Sequence, residues 1–244
     1  MTTNRISILC PTRGNPEFVE LQLQNMADTI AEPSRFTIFY YVDNNDPTIK
    51  EYQFALHKME AKVGKTLQFE IVSGDPIGTP KAINLIAEMA EADVYMLIAD
   101  DMIYETEGWD RAVDQVAADY PDGVFNAWFD DNVFGDRLSW YPILGRTWYK
   151  TLNYIAPVIF EHYAVDHWMH TLGKAVGRNV FITEHTLGQR QIDDVDTEAR
   201  YAWEVDGAAK RKMDRDNEQF ERFLRYLQLD AELLRKAIAE AEGA

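Results

Sequence analysis

Short apolar runs alternate with amphipathic segments through the first half of the chain, the pattern of strands that return through helices to a mostly parallel sheet. Ile6 to Cys10 is the first run. Asn15 then stands at a helix-cap position, Pro16 takes the first helical place, and Phe18, Val19, Leu23, Met26 and Ile30 recur at helical spacing. Thr37 to Val42, rich in β-branched and aromatic residues, predicts a second strand that stops at Asp43-Asn44-Asn45-Asp46, where Asp46-Pro47 predicts the next helix start. The unit then repeats. Leu67 to Val72 predicts a strand, Gly74 to Gly78 a loop, and Thr79-Pro80 a third helix start leading into Ile83, Ile86, Ala87 and Ala90. Val94 to Ile98 is the fourth strand, and it runs out onto Asp100-Asp101.

After Trp109 the alternation loosens. A helix around Arg111 to Ala118 leads through Pro121-Asp122-Gly123 to a strand over Val124 to Phe129. The segment from Arg137 to Arg190 is aromatic and holds four of the five histidines. Beyond Gln191 come the acidic run IDDVDTEARYAWEVD and a long helix in which Phe220, Phe223, Leu224, Leu227, Leu234 and Ile238 trace one face. This predicts an α/β unit over residues 1–190, divided near residue 110, followed by an acidic segment and a C-terminal helix over 191–244.

Open parallel sheets bind ligands at the carboxyl ends of their strands, and the polar residues gather there. Thr12 and Arg13 follow the first strand, Asp43 and Asn45 the second, Ser73 and Asp75 the third, and the aspartate pair the fourth. Any one of these could be a turn or cap, but four coinciding strand ends single out one edge of the sheet. Adjacent carboxylates raise each other's pKa unless a cation lies between them. Asp100-Asp101 emerges from the apolar Met96-Leu97-Ile98-Ala99, so the core fixes its position. Oxygen ligands of this kind suit Mn2+ or Mg2+ completed by substrate phosphates, with a helix cap or a solvated pair as the alternative.

Composition narrows the classes. With 244 residues, 46% hydrophobic and 12% aromatic, the chain buries a core and falls within one large domain. Its net charge of −17 argues against coating by nucleic acid over the whole surface. The stretch 137–190 departs from that average: six basic residues against three acidic give +3, leaving −20 elsewhere. Its Trp140, Tyr141, Trp148, Tyr149 and Trp168 could stack a sugar or an exposed base, or fill a core. One cysteine, Cys10, excludes a disulfide framework within the chain and a cysteine-based zinc site. No run approaches about 18 uninterrupted apolar residues and the N-terminus lacks a signal-peptide pattern, so a soluble, cytoplasmic protein with no integral membrane segment is expected.

In order and spacing, PTRGNP after the first strand, YVDNND after the second, GTPKAIN at the third helix and LIADDM after the fourth strand resemble the glycosyltransferases of the GT-A fold, particularly the family 2 type. The resemblance covers roughly residues 4 to 190. It implies a Rossmann-like α/β sheet flanked by helices and a metal-dependent transfer of sugar from a nucleotide sugar, with a leaning to UDP, to an acceptor hydroxyl with inversion. Pro11, Thr12, Arg13 and Asp43 would line the base and ribose pocket; Gly78, Lys81 and Asn84 would approach the diphosphate or sugar. The DxD motif of these enzymes maps onto Asp100 and Asp101, with Asp101 on the metal and Asp100 nearer the ribose or sugar. One aspartate of a fuller motif is absent. YAVDHW resembles the element that supplies the base, with Asp166 in that position and Val165 where a Glu is usual. His185, in VFITEHTLGQ, is the candidate for a further metal ligand, and PILGR resembles an acceptor-side segment. The acceptor stays open among a glycan, a protein and a hydroxylated base in DNA. A sugar-nucleotide nucleotidylyltransferase and a non-catalytic nucleotide- or glycan-binding module remain alternatives, although PTRGNP lacks the glycine-rich loop of the former.

Overall fold

A computed structural model describes residues 4–64, 66–189 and 208–243. The acidic run 192–206 lies outside the described residues. Eight strands form one sheet: β1 Ile6–Thr12, β2 Phe36–Asp43, β3 Gln68–Gly74, β4 Val94–Leu97, β5 Met102–Tyr104, β6 Asn126–Asp130, β7 Ile143–Gly145 and β8 Asn179–Gln189, in the order β3-β2-β1-β4-β7-β6-β8-β5. The first four are parallel neighbours. β7 runs antiparallel to both β4 and β6, and β5 antiparallel to β8.

Residue alternation explains how one sheet sustains two cores. Ile6, Ile8 and Cys10 of β1, with Phe36, Ile38, Tyr40 and Val42 of β2, point to one face, where α1 (Pro16–Thr29), α2 (Ile49–Val63) and α4 (Asp110–Asp119) cover them. Leu9, Phe39, Tyr41, Tyr95 and Leu97 point to the other. That face is covered by α3 (Thr79–Met89), α5 (Arg146–Leu152), α6 (Val165–Val176) and a 35-residue C-terminal helix, α7 (Ala208–Glu242). Central strands buried on both faces need near-continuous apolar sequence, which ISILC and IFYYV provide.

The expected elements appear with shifted edges. Asp46-Pro47 does not begin α2; the Asp46 carboxylate accepts from the backbone N–H and hydroxyl of Thr48, both at 2.7 Å, and the helix starts two residues beyond the proline. Asn15 precedes α1 but makes no capping bond with its side chain, which reaches Asp100 instead. The strand expected over 124–129 begins at Asn126. The expected strand before His185 runs on through it: the register shift between Phe129 and Asp130 skips Thr183 to His185, β8 rejoins β6 at Thr186, and Leu187 to Gln189 pair with β5.

α7 joins the same molecule rather than standing apart. Leu227, Ala231 and Leu234 are buried in the core shared with α5 and α6, Tyr154 donates to Asp230, and Arg235 donates to the Ala175 carbonyl at 2.8 Å. Its other sides are mostly polar but also expose Met213, Tyr226, Leu229 and Leu233, and no helix among the described residues is long and apolar enough to cross a membrane.

A buried ion pair closes the opposite face. Asp110, fully buried, accepts from the Ala31 and Glu32 N–H groups and from Arg35 Nη2 at 3.0 Å. Asp110→Ala would leave the buried Arg35 with Asp114 as its remaining carboxylate partner, at 2.7 Å, and strand the Ala31 and Glu32 N–H donors, so chemical denaturation should show a loss of about 2–4 kcal/mol. A loss under about 1 kcal/mol would mean that water reaches Arg35 and satisfies it.

Candidate functional site

The carboxyl ends of β1, β2 and β4 open into a cleft of about 770 Å³. Pro11, Thr12, Arg13 and Asn15 line it from the β1–α1 turn, Tyr41 and Asp43 from β2, and Ala99, Asp100 and Asp101 from the end of β4. Gly78, Thr79 and Ala82 come from the start of α3, Glu161, His162 and Tyr163 from the loop before α6, and Lys212 from α7.

The β1–α1 turn is held by polar contacts across the sheet edge. Thr12 Oγ1 donates to Asp100 Oδ2 and lies 2.7 Å from the Tyr52 hydroxyl, and Asn15 Nδ2 reaches the same Asp100 oxygen at 3.3 Å. Gly14, with φ +74°, gives its N–H to Asp46 Oδ2 at 2.8 Å, a turn that a side chain would strain. Burial pushes the Asp46 carboxyl up, but bonds from Thr48 and Gly14 and the Arg13 charge outweigh it and hold the group below the usual carboxylate range. Arg13 Nη1 spans Asp43 Oδ2 at 2.6 Å and Asn45 Oδ1 at 2.9 Å, tying together two strand ends. Burial and the carboxylates of Asp43 and Asp75 raise the Tyr41 phenol, which stays a donor, here to the Asp75 carbonyl at 2.6 Å.

Opposite this wall, Gly78 adopts φ +81° at the entry to α3, and a Cβ there would lie 3.8 Å from the Glu161 carbonyl. Thr79 Oγ1 is 3.0 Å from His162 Nδ1, which links α3 to the loop before α6. Desolvation and the Lys212 ammonium lower the His162 pKa against the pull of Asp216 and Asp166. Burial pushes the Tyr141 phenol far up, and the charges of Asp101, Asp100 and Asp166 reinforce it. Asp166 is not among the residues that line the cleft. Asp166 stands in the first turn of α6, directly after Ala164 and Val165; Ala164 is held in the left-handed region at φ +63°. That backbone costs a non-glycine residue about 1–2 kcal/mol and turns the chain sharply into the helix that carries Asp166. Asp166 Oδ1 accepts the His167 N–H at 2.9 Å and raises the His167 pKa.

Most of the residues expected at the site converge here: Pro11, Thr12, Arg13, Asp43, Gly78, Asp100 and Asp101 share the cleft. Lys81, on the exposed side of α3, is not among its lining residues. Asn84 is occupied elsewhere. Its Oδ1 accepts the Ile155 and Ala156 N–H groups at 2.8 and 2.9 Å and its Nδ2 donates to the Ala156 carbonyl at 2.7 Å, so the amide braces the loop after α5. His185 is held 2.6 Å from Thr106 Oγ1 with its ring against the edge of Phe129. Among the described residues no three His, Cys, Asp or Glu side chains form a group able to hold a metal, so His185 does not complete a set with Asp100 and Asp101. The pair by itself fits a hard divalent cation that draws its other oxygens from water and phosphate, not an all-protein cage. Sequence reasoning missed Tyr41, His162, Tyr163 and Lys212.

The architecture matches that of the mannosyltransferase PcManGT from Pyrobaculum calidifontis, solved with GDP-Man and Mn2+: TM-score 0.65 over 99% of this chain and 74% of that one, at 14% identity. The fold is GT-A. S. aureus TarS bound to UDP shares it, with a TM-score of 0.58 at 11% identity, and so does TarS bound to UDP-GlcNAc, with 0.56 at 11%. The matches cover 75% and 78% of this chain and 60% of each TarS chain, so this GT-A chain spans under two thirds of those relatives. No protein-family description and no curated sequence matches it.

Proposed function

We propose that the protein is a glycosyltransferase that moves a sugar from a nucleotide sugar to an acceptor hydroxyl, with inversion at the anomeric carbon. The observation that carries this reading is the convergence of Thr12, Arg13, Asp43, Gly78, Asp100 and Asp101 on one cleft of a GT-A fold. Pro11, Thr12, Arg13 and Asp43 take the nucleoside, and Gly78, bare of a side chain, lets the rest of the donor lie against the start of α3. Asp100 and Asp101 hold Mn2+ or Mg2+, which when bound offsets the charge of the leaving diphosphate. The structural relatives crystallised with GDP-Man, UDP and UDP-GlcNAc support a nucleoside diphosphate donor and leave its base and sugar open.

In the transfer, the acceptor oxygen forms its bond to the anomeric carbon as the bond from that carbon to the phosphate oxygen breaks. The bonding pair leaves with the nucleoside diphosphate. The acceptor proton passes to the Asp166 carboxylate, in the first turn of α6 and three residues after the cleft-lining Tyr163. The Tyr141 phenol, raised by burial, keeps its proton and does not compete for that role.

The test is a panel of UDP- and GDP-linked sugars with Mn2+, Mg2+ or chelator, measuring nucleoside diphosphate release with and without glycan, protein and hydroxylated DNA acceptors. Release confined to one donor type, dependent on cation and stimulated by one acceptor class, is the expected result. A protein that neither binds nor consumes any donor would overturn the reading.

A further inference from the structure

The three N–H groups of Glu161, His162 and Tyr163 point together at the rim of the cleft, an arrangement suited to an anion. They are already satisfied from within the chain. Asp216 of α7, 1% exposed, accepts the Glu161 N–H on Oδ1 at 2.8 Å and the His162 and Tyr163 N–H groups on Oδ2 at 3.0 and 2.7 Å. One residue earlier, Arg215 grips both Glu161 oxygens at 2.8 and 3.0 Å. Lys212, one turn before Asp216, lines the cleft and forms no ion pair with a described residue. Residues spaced by three and four share a helix face, so Lys212, Arg215 and Asp216 reach the same loop from one side of α7.

The charges around the cleft give this arrangement a purpose. Among the described residues four carboxylates, Asp43, Asp100, Asp101 and Glu161, line it against two cations, Arg13 and Lys212. Arg13 is engaged by Asp43 and Asn45. Arg215 removes Glu161 as a competitor for Lys212, and Asp216 removes the loop N–H groups as alternative anion donors. Among the described residues, the ammonium of Lys212 is the cation left to a polyanion on that rim, and its field is already felt at the neighbouring His162 ring.

Resting on the glycosyltransferase reading, we infer that Lys212 binds the diphosphate of the donor and that Asp216 is the positioning residue that places it, so that α7 forms a working wall of the site. The loop and helix are locked together by the buried carboxylate before any ligand arrives. The diphosphate then meets a lysine whose stem is anchored within one turn of that lock.

Calorimetric titration of the full chain with UDP and GDP, and with uridine and guanosine as controls, all in one Mn2+ buffer, tests this. Lys212→Ala should weaken diphosphate binding by about tenfold or more while changing nucleoside binding less than twofold, and Lys212→Arg should restore most of the loss. Asp216→Asn should reproduce the same selective loss, and the double variant should be no worse than Lys212→Ala, since the two residues act as one unit. Equal diphosphate affinity in wild type and Lys212→Ala would overturn the assignment of Lys212 and leave the glycosyltransferase reading standing. Losses that multiply in the double variant would overturn the positioning role of Asp216. If wild type binds neither diphosphate, both the assignment and the glycosyltransferase reading fall.

Discussion

Asp101→Ala should erase the advantage that Mn2+ gives to nucleoside diphosphate binding. In wild type the affinity measured with Mn2+ is expected to exceed that in chelator by about tenfold or more, the scale of charge-assisted contacts. In the variant the two should agree within about twofold, because one of the two carboxylates at the end of β4 is gone and no third acidic, histidine or cysteine group completes a site among the described residues. The sign reverses without metal. Asp101 is buried beside Asp100, and the variant removes one carboxylate that repels a polyanion, so in chelator it should bind at least as well as wild type. Titration in both buffers reads the two effects separately, with the chelator arm independent of turnover. An undiminished Mn2+ advantage would move the cation away from the β4 pair.

Asp166→Asn should leave donor affinity within about twofold and lower turnover by roughly two to four orders of magnitude, the scale of general-base catalysis. The amide keeps the size of the side chain and an oxygen for the His167 N–H, but it cannot take the acceptor proton. Steady-state release of nucleoside diphosphate, together with the anomeric configuration of the product, measures the effect. Full turnover would leave Asp166 as the acidic first turn of α6. A retained configuration would require a nucleophile in place of a base.

The convergence at the sheet edge was legible because its logic is local. Each strand ends on a polar cluster, and the sheet order β3-β2-β1-β4 brings those clusters to one edge, so the approximate strand spans suffice to locate Thr12, Arg13, Asp43 and Asp101 together. Asn84 misled for the same local reason. Its place near the start of α3 resembles a ligand position, but the chain returns at Ile155 and Ala156, 71 and 72 residues later, and takes its amide. His185 was misread through strand length: the shift after Phe129 carries β8 past it toward β5, a tertiary choice that no pattern within 179–189 dictates.

The contribution of α7 had a signal that went unread. The apolar face traced by Phe220, Phe223, Leu227, Ala231, Leu234 and Ile238 continues backward in the same phase to Asp216 and Lys212, at steps of four. An acidic residue in register with an apolar stripe is a buried carboxylate in search of donors. Which donors it finds is fixed only when the loop before α6 folds against it.

Leu234 and Ala231 fasten α7 at one end of the molecule while Asp216 and Lys212 act at the other, with a continuous helix between. A straight helix is a rotary gauge as well as a spacer. Each residue added or lost between the two ends turns the tip by about 100°, so one inserted residue would swing Lys212 away from the cleft and Asp216 out of its loop. An insertion of seven residues nearly restores the angle but displaces the tip by about 10 Å along the axis. The middle of α7 is therefore free to vary in composition on its solvent side, where Arg222, Tyr226 and Leu229 are exposed, yet is held to a fixed number of residues.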